Sequence, residues 1–185
     1  VLASHPHCTV KASVVREIMQ PNSDWRYRIA GGAHDELGTL LTSLPPVSSW
    51  IPEVHANAIF AAILDGVYGG DEAKFATLIH DGNMRLFQSP LYRTLFWLAG
   101  VDRVVGGAAS RWSHLRKGSE LVVEEQKKGF ARLVLRFPHN LWPAFMLRMR
   151  AVTFTDALTV AGGKGARVDV ESTDAVRAVF VGRWS

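Results

Sequence analysis

The chain has 185 residues, 48% of them hydrophobic and 21% charged, with a formal net charge of +4 and one cysteine. That balance fits one soluble globular domain, or a two-part unit sharing a core, and it excludes a disulfide scaffold because Cys8 has no partner in the chain. A chain of this length typically hides roughly 70% of its unfolded surface, so its core needs no metal or crosslink.

The opening Val-Leu-Ala-Ser-His-Pro lacks an initiator Met and the regions of a signal peptide, and reads as following a trimmed or missing segment. No uncharged stretch approaches the ~18 residues a spanning helix needs, so the expected setting is cytoplasmic. Residues 9–19 begin strand-like and close in Val14, Val15, Ile18 and Met19, which predicts a short helix. Pro21-Asn-Ser-Asp24 is a turn cluster, and Gly31-Gly32 breaks the chain before Leu37, Leu40 and Leu41, whose spacing predicts another short helix ended by Pro45-Pro46. Ser49 is expected to cap a helix with Pro52 in its first turn and Val54, Ala58, Ile59, Ala62 and Ile63 along it, stopped by Tyr68-Gly-Gly70. Asp71 and Glu72 suit the positive start of the next helix, which carries Phe75, Leu78, Ile79, Met84 and Phe87. Pro90 opens another with Leu91, Leu95, Phe96, Leu98 and Ala99, and a further segment runs from Asp102 to about Arg116.

Near residue 118 the rhythm changes. Residues 120–126 and 130–137 flank Lys127-Lys128-Gly129, a hairpin connection, with Ala131, Leu133, Leu135 and Phe137 on one face and Phe130, Arg132, Val134 and Arg136 on the other. Asn140 is expected to cap a long apolar helix that bears Pro143 in its first turn and closes at Gly162-Gly163. Residues 167–171 and 175–184 predict a second hairpin around Ser172-Thr-Asp174, with Val176, Ala178, Phe180 and Trp184 on one face. The expected fold is α+β: a helical part over residues 1–117, packed on a four-stranded antiparallel ββαββ sheet part over residues 118–185 with one long helix, together one compact domain.

Particular runs carry a resemblance across residues 50–184. They are Trp50-Ile-Pro-Glu53, the helix pair around Gly70-Asp71, Ser89-Pro90, Arg111-Trp-Ser-His-Leu-Arg-Lys-Gly118, Ala166-Arg-Val-Asp-Val170 and Val179-Phe-Val-Gly-Arg-Trp184. In order and pattern the chain resembles an uncharacterised paralogous family described mainly from myxobacteria, akin to haem-NO-binding and vinyl-reductase-like ligand domains. The resemblance implies a helical cap over a sheet, with a small apolar ligand or a partner protein received between them, in a bacterial regulatory or assembly role. Haem-NO-binding domains use a His before the sheet as iron ligand, and His114 sits in a comparable place. Their Tyr-x-Ser-x-Arg run is missing here, since Tyr27, Tyr68 and Tyr92 lie outside the sheet region. No cofactor is therefore expected, with haem kept as an alternative.

The remaining chemistry is read residue by residue. Trp142, Phe145, Met146 and Met149 share one side of the long helix and are the candidate ligand-binding residues together with His114; a filled core is the plainer reading of that stripe. Arg148 and Asp156 lie near or within it, where a charge needs a partner. Residues 1–88 carry 6 Lys/Arg against 9 Asp/Glu and residues 89–185 carry 15 against 8, so the basic excess belongs to the second part. Arg132, Arg136, Arg177 and Arg183, with Phe130 for stacking, offer a nucleic-acid surface as the alternative function, although Asp169 and Glu171 share their face. A third reading, a metal phosphohydrolase of the HD type, rests on His55, His80-Asp81 and Asp102. His5-Pro-His7-Cys8 and Gly162-Gly-Lys-Gly165 are read as a terminus and a helix stop, and no Gly-x-Ser-x-Gly or His-Glu-x-x-His run occurs. The first function is thus non-catalytic binding of a small apolar ligand or a partner protein; oligomeric state is left open.

Overall fold

The computed structural model describes residues 3–19, 24–25, 29, 35–90, 92 and 100–185. The break at Gly31-Gly32, most of the turn cluster before Asp24, and, Tyr92 apart, the helix expected from Leu91 to Ala99 lie outside the described residues. Two antiparallel sheets organise the rest. The smaller joins Trp50–Pro52 (β2) and Arg116–Lys117 (β3) to opposite edges of Thr9–Lys11 (β1). The larger contains Glu120–Lys127 (β4), Phe130–Arg136 (β5), Arg167–Thr173 (β6) and Arg177–Arg183 (β7), in the order β4-β5-β7-β6. The helices are α1 (Ala12–Met19), α2 (Asp35–Thr42), α3 (Glu53–Tyr68), α4 (Glu72–Gln88), α5 (Gly100–Gly106), α6 (Ala108–Leu115) and α7 (Ala144–Val160). This is the expected α+β class, with the helices leading into an antiparallel ββαββ sheet.

The small sheet bears out one expectation, the strand-like start and short helix of residues 9–19, and corrects another. Residues 9–11 form a strand and only then does α1 begin, because Val10 faces Ile51 on one side and Arg116 on the other. Ser49 does not cap α3. Pro52 instead ends β2, an edge strand where its missing N–H leaves no ladder bond unmade, and stands at the N-cap without a side-chain cap. The other end of α3 is as expected: Gly69 adopts φ 59°, its N–H reaches Asp65 O at 3.1 Å, and Gly70 N–H reaches Leu64 O at 2.9 Å. Asp71 caps α4, its carboxylate accepting from Ala73 and Lys74 N–H, both at 3.1 Å, which holds its carboxyl below the ordinary aspartate range.

The first hairpin turns at Gly129, whose φ of 73° the connection requires. At α7 the N-cap is Pro143, not Asn140; Asn140 lies in the preceding turn at φ 58° with its N–H on Ala175 O. In the second hairpin a bulge between Val170 and Ser172 carries β6 on to Thr173. Asp174 then accepts the Val176 N–H at 2.8 Å, so Val176 sits in the turn at 47% exposure instead of on the core face. Helix α7 packs between α4 and the strands β6 and β7. Met146, Leu147 and Met149 from the helix and Leu135, Ala178 and Phe180 from the sheet fill this layer. The side chains expected on the core face of β5, from Ala131 to Phe137, are all buried there.

Candidate functional site

A cavity of about 120 Å³ lies where α4, α5, α6 and α7 meet the small sheet. Helix α6 lines it with Ala108, Arg111, Trp112 and Leu115, an i, i+3, i+4, i+7 stripe, and α7 with Arg150, Thr153, Phe154 and Ala157. Asn83, Leu86 and Phe87 come from α4, Val104 from α5, and Val14, Arg116 and Leu121 from α1, β3 and β4. Most of this wall is apolar. Arg111 is occupied in bridging α5 and α6, donating to the carbonyls of Arg103 and Val104 at 3.0 and 3.1 Å.

Beside the cavity is a buried polar cluster. Glu53, 1% exposed at the start of α3, accepts from Trp142 Nε1 at 2.9 Å and from Arg150 at 3.1 Å, while Arg116 approaches its other oxygen at 3.8 Å. Each guanidinium lies over an indole, Arg116 on Trp112 at 5.1 Å and Arg150 on Trp142 at 5.2 Å, and the two indoles meet edge to face. Burial depresses both arginines from their ordinary value, and the like charge of Arg116 helps bring Arg150 down to about 9. Further along α7, Asp156 is held by His80 Nδ1 at 2.6 Å and by Asn83 at 2.8 Å.

The sequence-derived ligand candidates divide around this site. Met146 and Met149 are core residues of α7, while Trp142, expected on the same helix, lies buried just ahead of its Pro143 cap and serves the Glu53 cluster; Phe145 stacks edge to face on Phe75. The cavity is lined by the next turns of the same helix. His114 is exposed and falls outside the α6 stripe that faces the cavity. Sequence reasoning passed over Arg150, Arg116 and Glu53. One signal was available for Arg150, which stands four residues after Met146 and eight after Trp142 and therefore on their face. Arg148, singled out instead, reaches outward to Glu72 with bonds of 2.6 and 2.7 Å.

On the outer sheet face Arg132 pairs with Glu124 at 2.7 Å and with Glu171, Arg136 with Glu120 at 3.3 Å, and Arg177 with Glu124 at 3.8 Å. Arg183 lies over Phe130 at 5.9 Å, and Lys127 approaches the same ring at 4.5 Å. Val134, Val179 and Val181 alternate with these arginines along β5 and β7 and are buried. His55 faces Glu36, His80 faces Asp156, and Asp102 is exposed on α5, so these residues do not converge. Among the described residues no group of three or more His, Cys, Asp or Glu side chains is placed to hold a metal ion, and no helix is long and apolar enough to cross a membrane.

No protein-family model matches the sequence, and no curated protein does. Solved structures do match in shape. The Fe(II) unliganded H-NOX protein from K. algicida aligns with a TM-score of 0.65 over 95% of this chain and 96% of its own, at 8% identity. A structure from work probing heme distortion in the H-NOX family gives 0.65 over 95% of both chains, also at 8% identity. A mutant of T. Tengcongensis H-NOX gives 0.57 over 93% of this chain and 95% of its own, at 10% identity. The chain has an H-NOX-like fold. At such identity the likeness is one of fold alone, and function must be argued from the site.

The H-NOX likeness raises haem, and the residues lining the cavity do not fit it. Haem iron takes an axial His, Cys, Met or Tyr, and none of the described lining residues is of these types. The space is also small beside the roughly 300–1,000 Å³ of pockets that take drug-sized ligands.

Proposed function

We propose that this chain is a non-catalytic regulatory domain of the cytoplasm that binds a small apolar molecule between its helical and sheet parts. The supporting observation is the cavity itself: an apolar space of about 120 Å³, bounded by side chains from both parts, in an H-NOX-like fold. Its size is close to that of an engineered cavity of about 150 Å³ that takes benzene. A ligand there touches α4, α6 and α7 at once, so its arrival changes how the helical part sits on the sheet, which is what a sensor requires. The paired outer-face arginines support this reading over a nucleic-acid surface, since the carboxylates of Glu120, Glu124 and Glu171 compete with any phosphate. The test is a titration with toluene followed by tryptophan emission, because Trp112 is part of the wall. Saturable change in the wild type, lost in Ala157→Leu, which fills the space, supports the reading. A folded Ala157→Leu protein that titrates like the wild type overturns it.

A further inference from the structure

The charge balance around the cavity narrows the ligand class, on the premise that the cavity is a ligand site. Two guanidinium groups, each on a residue only 5% exposed, share a single carboxylate, that of Glu53. Glu53 is also occupied by Trp142. The other buried carboxylate nearby, Asp156, is committed to His80 and Asn83. Among the described residues the Nε of Arg116 and the Nε of Arg150 find no hydrogen-bond partner, although both side chains line the cavity.

An arginine buried without its full complement of acceptors is costly, and apolar side chains of similar volume would hold this region at least as well. The surplus positive charge therefore calls for an anion from outside. Each guanidinium lies over an indole, and a planar fork of N–H donors matches a carboxylate. Beyond the arginines the wall turns apolar, through Leu86, Phe87, Phe154 and Ala157.

We infer that the cavity selects a small apolar carboxylate, with its head between Arg116 and Arg150 and a body no larger than a benzene ring or a short branched chain. Such an anion offsets the repulsion between the two arginines, which the single carboxylate of Glu53 balances only in part.

The experiment compares benzoate, 3-methylbutanoate and hexanoate with benzamide, 3-methylbutanamide and hexanamide, by tryptophan emission and calorimetry at neutral pH. The acids are expected to bind about tenfold tighter than their amides, the margin of a charge-assisted hydrogen bond over a neutral one. Arg150→Met and Arg116→Met, each checked for native circular dichroism, are expected to erase that margin while the amides still bind. Arg150→Lys should keep part of it. Should a variant fail to fold, the acid-to-amide ratio in the wild type decides alone. Equal affinity for acids and amides removes this inference and leaves the cavity reading standing; binding of neither class removes both.

Discussion

The imidazole Nδ1 of His80 lies 2.6 Å from the carboxylate of Asp156, pinning α4 to α7 beside the cavity. Asn83 holds the second oxygen of Asp156 at 2.8 Å, and the aspartate is 3% exposed. Burial lifts its carboxyl above the ordinary value of 3.8; the bonds from Asn83 and His80 oppose that shift, and the charge of Asp81 adds to it. A raised value means the native state holds this proton more tightly than the unfolded chain does. The contribution is complete below the unfolded value and is lost as pH climbs through the folded one. Urea midpoints of the wild type and Asp156→Asn, measured at a series of pH values, are therefore expected to move in favour of the wild type as pH falls towards 3.8. A gap that stays constant with pH contradicts this account.

Glu53 is the sole carboxylate that the described residues place against both buried arginines. Replacing it by Gln preserves its shape and the Trp142 contact but leaves two like charges facing each other in the interior. Breaking a buried ion pair from one side costs about 3–5 kcal/mol, so Glu53→Gln should lose that much in a denaturant titration. A loss under about 1 kcal/mol, the scale of an exposed pair, contradicts the assigned burial.

Two glycines with similar backbone angles should respond differently to alanine. Gly69 has φ 59° with open space where a Cβ would stand, whereas at Gly118, φ 77°, that Cβ would meet Cys8 Sγ at 2.6 Å and His7 O at 2.9 Å. Gly69→Ala should cost about 1 kcal/mol for its left-handed conformation, and Gly118→Ala clearly more, because the second neighbour is backbone and cannot swing aside. Thermal unfolding of the pair checks the ranking.

Adding ferric haem to the purified protein should give no absorption band that depends on His114. That residue is exposed, and no described lining residue supplies an iron ligand. Identical spectra for the wild type and His114→Ala are expected; a Soret band lost only in the variant reverses the conclusion about haem.

We also expect residues 1–117 and 118–185 to unfold as one unit. Trp112 and Trp142, one on each side of that boundary, touch with ring centres 5.9 Å apart, and α4 packs along α7. Tryptophan emission and far-ultraviolet circular dichroism should then trace the same transition; two separated transitions argue for independent parts.

The larger sheet and its helix are legible in the residues because their periods are long and clean. Ala131, Leu133 and Leu135 alternate strictly, and Met146 and Met149 keep to one helical side. The small sheet is legible only in part: residues 9–11 read as strand-like, but so short a run cannot name its partners, and Thr9-Val10-Lys11 pairs only because Ile51 and Arg116 arrive from distant parts of the chain. The site was harder still. Arg148 and Arg150 flank Met149 as near twins, and which of them turns inward is settled by Glu72 on the surface and by Glu53, 97 residues upstream. Local pattern shows that the helix must choose; only the distant carboxylates decide how.

The order β4-β5-β7-β6 sets a timetable for synthesis. Residues 177–183 enter between two strands already made, bonding to residues 130–136 on one flank and 167–173 on the other. Until they leave the ribosome the first hairpin and the helix after it have no closed layer to rest upon, and two unsatisfied backbone edges stand open. Nascent chains halted before residue 177 are therefore the ones that should call on chaperones most, and those long enough to expose residues 177–183 outside the ribosome should need them least.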